Sequence, residues 1–153
     1  MSKRNTLDPV IIDSISRNIF FVLPLLRKRL LPVDAIQNVH GIPFSHVQVL
    51  SILEEMGEMS VSEISVRLGM AKPNITPLVD RLIANEYVRR IKDIKDKRVV
   101  NIVILDRGKE KLQAIQQTTR EQIMESAEEI SASDFRELAV SLQNISRIFT
   151  QLL

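Results

Sequence analysis

The chain has 153 residues, 44% of them hydrophobic and 26% charged, which suits one soluble domain with a real core and is too short for two ordinary ones. It contains no cysteine, which excludes disulfides, thiolate metal sites, a cysteine nucleophile and any thiol-based oxidant sensor within the chain. The net charge of +2 hides a basic middle, eleven Lys/Arg against six Asp/Glu over residues 72–111, which points either to a polyanionic partner or to a solvated charged face.

The start, Met1-Ser2-Lys3-Arg4-Asn5, is basic but is not followed by a signal-peptide pattern. A long helix is expected over Pro9–Leu30, where Ile12, Ile15, Ile19, Val22 and Leu26 step by 3, 4, 3 and 4 in a heptad-like stripe. Pro24 lies inside it and should kink or interrupt it. The apolar run at residues 20–26 is shorter than the roughly 20 residues of a membrane span, so no membrane is expected and the location should be cytoplasmic. A loop with Pro32, Gly41 and Pro43 follows. The next helix should begin near Phe44, turn Val47, Leu50 and Leu53 inward, and stop at Gly57.

Ser60-Val61-Ser62-Glu63 reads as a capping box opening a short helix with Val61, Ile64 and Leu68 on one face and Gly69 at its end. A few residues later a second helical pattern begins, with Ile75, Leu78, Val79 and Leu82 as its apolar side. Two short helices joined by a tight glycine turn are the signature of a helix-turn-helix. The period then changes to two at Val100, Ile102 and Ile104, a strand whose partner is residues 87–91. The charged hairpin between them, residues 92–97, has the place and character of a wing. Asp106 can cap another long helix carrying Leu112, Ile115, Ile123 and Ile130. A last helix should start near Ser133, with Phe135, Leu138, Leu142, Ile145, Phe149 and Leu152 forming an unbroken heptad seam.

Over residues 60–108 the sequence resembles the MarR (multiple-antibiotic-resistance regulator) family. The run Met70-Ala71-Lys72-Pro73-Asn74-Ile75-Thr76-Pro77-Leu78-Val79-Asp80-Arg81-Leu82 looks like that family's recognition helix. Its wing signature, Asp-x-Arg followed ten residues later by Gly, stands here as Asp96-Lys97-Arg98 and Gly108, with Arg90 eight residues before Arg98. Pro43-Phe44-Ser45-His46 replaces the family's Thr-x-x-Gln, and Leu105 replaces the Thr that commonly ends the wing strand, so Asp106 would have to act as the cap. Pro73 suits a first helical position, whereas Pro77 implies a late start or a bend.

The expected fold is mainly α with a small β-hairpin wing: a winged helix-turn-helix with N- and C-terminal dimerisation helices. Residues 1–42 would be the first dimerisation helix and its loop, 43–108 the DNA-binding region and 109–153 the C-terminal dimerisation helices, all in one integrated domain. The function this implies is a sequence-specific double-stranded-DNA-binding transcription regulator, a repressor reading an inverted repeat as a homodimer and relieved by a small-molecule ligand. The competing reading is a winged-helix module for protein–protein contact.

For DNA, Lys72, Asn74, Thr76 and Pro77 form the leading end of the recognition helix, where Asn can pair with adenine, Thr can offer a methyl to thymine and Lys suits phosphate or guanine. Arg81, further along, is placed for phosphate; the plainer reading of Asn74 and Thr76 is that they cap the helix. On the wing, Lys92, Lys95, Lys97 and Arg98 are the contacting cations, Arg98 in the minor groove, while Asp96 and Arg90 shape the hairpin. The seams containing Ile12, Ile15 and Ile19 and Leu138, Leu142, Ile145, Phe149 and Leu152 would meet a second subunit. The resemblance further implies a small aromatic or phenolic ligand; Phe20, Phe21, Phe44 and His46 are candidate lining residues by location, or else ordinary core. No cofactor, metal or catalytic residue is expected, because the two histidines, His40 and His46, have no thiolate, carboxylate set or phosphate loop beside them.

Overall fold

A computed structural model describes residues 8–152 of the chain; the basic start at residues 1–5 lies outside them. Asp8 caps the first helix, α1 (Pro9–Leu30), by accepting from the Val10 backbone N–H. Pro24 sits inside α1 without interrupting it, contrary to the alternative that it breaks the helix. Where a loop was expected, α2 (Val33–His40) follows, closed by Gly41 in the left-handed conformation at φ 65°. Eight residues with one buried side chain, Ile36, give too little periodicity to announce a helix.

Next comes α3 (Phe44–Met56), with Val47, Leu50 and Leu53 buried as the sequence suggested and His46 and Val49 buried as well. A two-residue strand, β1 (Met59–Ser60), leads directly into α4 (Val61–Leu68), and Gly69 closes that helix at φ 61°. The remaining elements are α5 (Lys72–Ala84), β2 (Val88–Lys92), β3 (Val100–Ile104), α6 (Asp106–Ala127) and α7 (Ala132–Thr150). The three strands form one antiparallel sheet in the order β1-β3-β2, with Met59 opposite Ile102 and Val88 opposite Ile104.

Three helix ends differ from expectation. Asp106 is the first residue of α6 and not its cap; Leu105 holds the cap position, and its N–H is bonded to the Tyr87 carbonyl at 2.9 Å. Ile130 falls beyond the end of α6, and α7 begins at Ala132, capped by Ser131, which accepts from the Asp134 N–H at 3.1 Å. α5 starts at Lys72 and runs through Pro77, so there is no late start.

The core lies where α3, α4, α5 and α6 close on the sheet, with Leu50, Ile64, Ile75, Val79, Ile102 and Ile115 essentially fully buried. Such burial contributes about 1.5–3 kcal/mol per large apolar side chain. α1 and α7 are different: neither has a buried residue, and Ile12, Ile15, Ile19, Ile145 and Phe149 are all exposed. By length and composition alone α1 is apolar enough to cross a membrane, because its apolar residues extend well outside residues 20–26. Its C-terminal end is nevertheless fastened to the rest of the fold, where Ser126 donates to the Arg29 carbonyl and Arg29 pairs with Glu129.

Candidate nucleic-acid interface

The helix-turn-helix is fixed at its entrance by a complete capping box. The Ser60 hydroxyl accepts from the Glu63 N–H at 3.2 Å, and the Glu63 carboxylate accepts from the Ser60 N–H at 2.7 Å. These bonds from Ser60, backbone first, hold the Glu63 carboxyl below its ordinary pKa. At the far end of α4, Ser65 donates to the Met70 carbonyl at 2.6 Å, which fixes the turn into α5.

The leading end of α5 presents Lys72, Asn74 and Pro77 to solvent, while Ile75, Val79 and Leu82 anchor the opposite side in the core. The capping role weighed for Asn74 and Thr76 does not occur: Ala71 occupies the cap position and no side chain satisfies it. Thr76 instead donates back to the Lys72 carbonyl at 3.2 Å. The first-turn N–H groups are therefore free of side-chain caps, and a helix N-terminus in that state favours an approaching anion.

The wing is tied down by Asp93. One of its oxygens accepts from the Lys95 and Asp96 N–H groups at 2.8 and 2.9 Å, and the other accepts from the buried Asn101 amide at 3.3 Å. The Asp93 N–H donates to the Val99 carbonyl, and the Val99 N–H to the Asp96 carbonyl, closing the hairpin. Asp96 forms a two-point pair with Arg98, at 3.0 and 3.1 Å, and also accepts from the Arg98 N–H. Arg90 reaches the other way, to Asp80 on α5 at 2.6 Å, and so braces β2 against that helix. Ile94 stands almost fully exposed at the hairpin tip.

The backbone N–H bonds from Asp96 and then Lys95 lower the Asp93 pKa, and the Arg98 side chain lowers that of Asp96. A carboxyl whose folded pKa is depressed stabilises the structure above its unfolded value and loses that contribution as pH falls through the folded value. The Lys95 and Asp96 amides are thus expected to exchange slowly near neutrality and to lose protection on acidification below the ordinary Asp value of about 3.9. Amide exchange followed by NMR across pH checks this; protection that is indifferent to pH would show that Asp93 does not hold the hairpin.

These elements bring Lys72, Thr76, Arg90 and Arg98 together around one open cleft of about 420 Å³, with Ser60 and Ser62 on its other wall. The two serines were missed as site residues because the sequence shows them only as part of a helix start. Lys92, Lys95 and Lys97 lie outside that cleft, exposed on the hairpin. Arg81 is set apart, nine residues or about 14 Å along α5 from Lys72, beside a separate polar cavity with His40 and His46. The proposed ligand-lining residues do not come together. Phe20 and Phe21 are exposed on α1, Phe44 borders an apolar cavity of about 410 Å³ and His46 faces the polar one. Phe20 and Phe21 are not core either, because nothing among the described residues buries them.

A three-stranded winged helix-turn-helix flanked by long, uncovered helices defines the class. Residues 40–99 match the model of the MarR family. Among curated relatives, the uncharacterized HTH-type transcriptional regulator YsmB of Bacillus subtilis is 39% identical over 66 residues, 43% of this chain and 45% of the relative. The HTH-type transcriptional repressor MdtR of the same organism is 29% identical over 75 residues, 49% of this chain and 48% of the relative. The matched part of the chain thus spans about half the length of these relatives. A MarR family protein from Bacillus stearothermophilus shares the fold with a TM-score of 0.73 and 21% identity, over 95% of this chain and 99% of that one.

Proposed function

We propose that the protein is a transcription regulator that binds double-stranded DNA as a homodimer, with α5 in the major groove and the wing in the flanking minor groove. The observation that carries this is the convergence of the uncapped start of α5 with Lys72, Thr76, Arg90 and Arg98 on one exposed cleft. Asn74 and Thr76 then read base edges, Lys72 and the wing lysines neutralise phosphates, and Arg98 enters the minor groove. The exposed Arg98–Asp96 pair is worth little in water, so phosphate or base contact can replace it. Two-fold symmetry would set the recognition helices about 34 Å apart and select an inverted repeat. Repression is the direction favoured, in line with the name of the relative MdtR. Relief by a small aromatic ligand is supported by the apolar cavity of about 410 Å³ that borders Phe44 between α3 and α6.

The test is a fluorescence-anisotropy titration against duplex DNA from upstream of the protein's own gene and against a scrambled duplex, repeated over a range of salt. Tighter binding to the native duplex with a steep salt slope is the expected result. Arg98→Ala is expected to weaken binding by roughly tenfold, and Lys72→Ala to reduce the salt slope by about 0.9, one neutralised phosphate. No binding to either duplex at low salt would instead favour the protein–protein module. In that case substitutions at Lys95 and Arg98 would leave partner binding unchanged.

A further inference from the structure

Two prolines stand at the centre of the outward face of α5. Successive residues of an α-helix turn by about 100°, so the direction opposite the buried Ile75, Val79 and Leu82 falls between positions 73 and 77. Pro73 and Pro77 occupy those positions, both exposed and one turn apart, so their rings are neighbours on one face. Pro73 sits in the first turn, where a proline is tolerated. Pro77 lies inside the helix, where it removes a backbone hydrogen bond, and it takes no part in the core. Nothing in the packing offsets that cost, so the use of the ring lies at the surface.

The hydrogen-bonding groups of this face decide its chemistry. A proline ring offers neither donor nor acceptor. Thr76, beside Pro77, spends its hydroxyl proton on the Lys72 carbonyl at 3.2 Å and is left with its methyl. Asp80, next on that side, is engaged by Arg90 at 2.6 Å. The middle of the face is therefore a small apolar patch, with the exposed Lys72, Asn74 and Arg81 around it. Polar and cationic groups about an apolar centre suit the major groove, whose phosphates lie outside and whose base edges lie within. Those edges carry donors and acceptors and a single apolar group, the C5 methyl of thymine.

We propose that Pro73 and Pro77, together with the Thr76 methyl, bind thymine C5 methyl groups in the major groove, so that each half-site carries thymine opposite the centre of α5. This contact rests on the DNA-binding function proposed above and adds the base that it selects. Pro77 is then a specificity-determining residue, and the hydrogen bond it removes from α5 is exchanged for an apolar contact with DNA.

The full-length protein is used to select its tightest duplex from a random pool, and that duplex is remade with deoxyuridine in place of thymine. The exchange removes the methyl and leaves the base pairing intact. Thymine is expected in the middle of each selected half-site. The deoxyuridine duplex should bind about fourfold more weakly for each contacted thymine, the factor that burial of one methyl group supplies. The salt slope should not change, because no charge is lost. Pro73→Ser combined with Pro77→Ser should melt no lower than the parent, since it returns an N–H to the helix interior, yet lose most of the discrimination between the two duplexes. Equal affinity of the parent for both duplexes overturns the contact and leaves DNA binding standing. Discrimination that persists undiminished in the substituted protein also overturns it, because the methyls are then felt through the shape of the duplex. If no duplex is selected, the DNA-binding function itself fails, and the contact with it.

Discussion

Gly108→Ala is expected to destabilise the protein by about 3 kcal/mol or more, the cost of overpacking against a contact that cannot yield. An alanine Cβ there would lie 2.2 Å from the Tyr87 carbonyl oxygen and 2.9 Å from an Ile104 carbon. The carbonyl is main chain and already accepts from the Leu105 N–H, so it has no side-chain freedom with which to retreat. For a chain of this size the melting temperature should fall by about 10 °C. Gly69→Ala is the comparison, because nothing stands within 4 Å of a Cβ at that site and its cost is the left-handed backbone at φ 61°, about 1–2 kcal/mol. If thermal denaturation finds Gly108→Ala no worse than Gly69→Ala, the close approach of α6 to Tyr87 is not what fixes the base of the wing.

The paired substitution Ile15→Asp with Ile145→Asp is expected to leave a folded monomer that has lost most of its DNA affinity. Ile15 is 63% exposed on α1 and Ile145 49% exposed on α7, each within an apolar seam that the chain leaves uncovered. A stable dimer interface buries about 1,200 Å² or more, and an unpaired carboxylate inside it costs several kcal/mol. Neither residue belongs to the core, so the fold should survive. Sedimentation should give a dimer for the parent chain and a monomer for the variant. Loss of the second half-site contact should lower DNA affinity by at least about a hundredfold. A parent chain that sediments as a monomer would remove the dimer and the inverted-repeat reading together.

Local chemistry made much of this legible in the sequence. The capping box at Ser60 and Glu63 and the chain-closing Gly69 act within a few residues of themselves, so their pattern announces them. The alternation at Val100, Ile102 and Ile104 does the same for β3. What stayed hidden depends on distant partners. Met59–Ser60 is a strand only because Asn101 and Ile102 lie beside it. Asp106 looks like a cap, yet the Tyr87 carbonyl draws Leu105 into that position. In the candidate site, Lys72 and Arg98 were readable as cations on a helix start and a hairpin. Their meeting with Ser60 and Ser62 in one cleft was not, and neither was the separation of Arg81, which follows from the direction of α5. Phe20, Phe21, Phe44 and His46 were grouped only by rough location, and they part because the first two lie exposed on α1 while Phe44 and His46 on α3 border different cavities.

Ser60 belongs to two structures at once: as the last residue of β1 it pairs with Asn101, and its hydroxyl caps α4. No slack separates the two, because α4 begins at the next residue. Wing and helix-turn-helix are consequently joined with no linker between them, because β1 pairs with β3 and runs directly into α4. Adding or deleting a single residue between Glu58 and Val61 would turn the buried Met59 outward or carry the cap out of reach. Drift in length is thus barred at this joint.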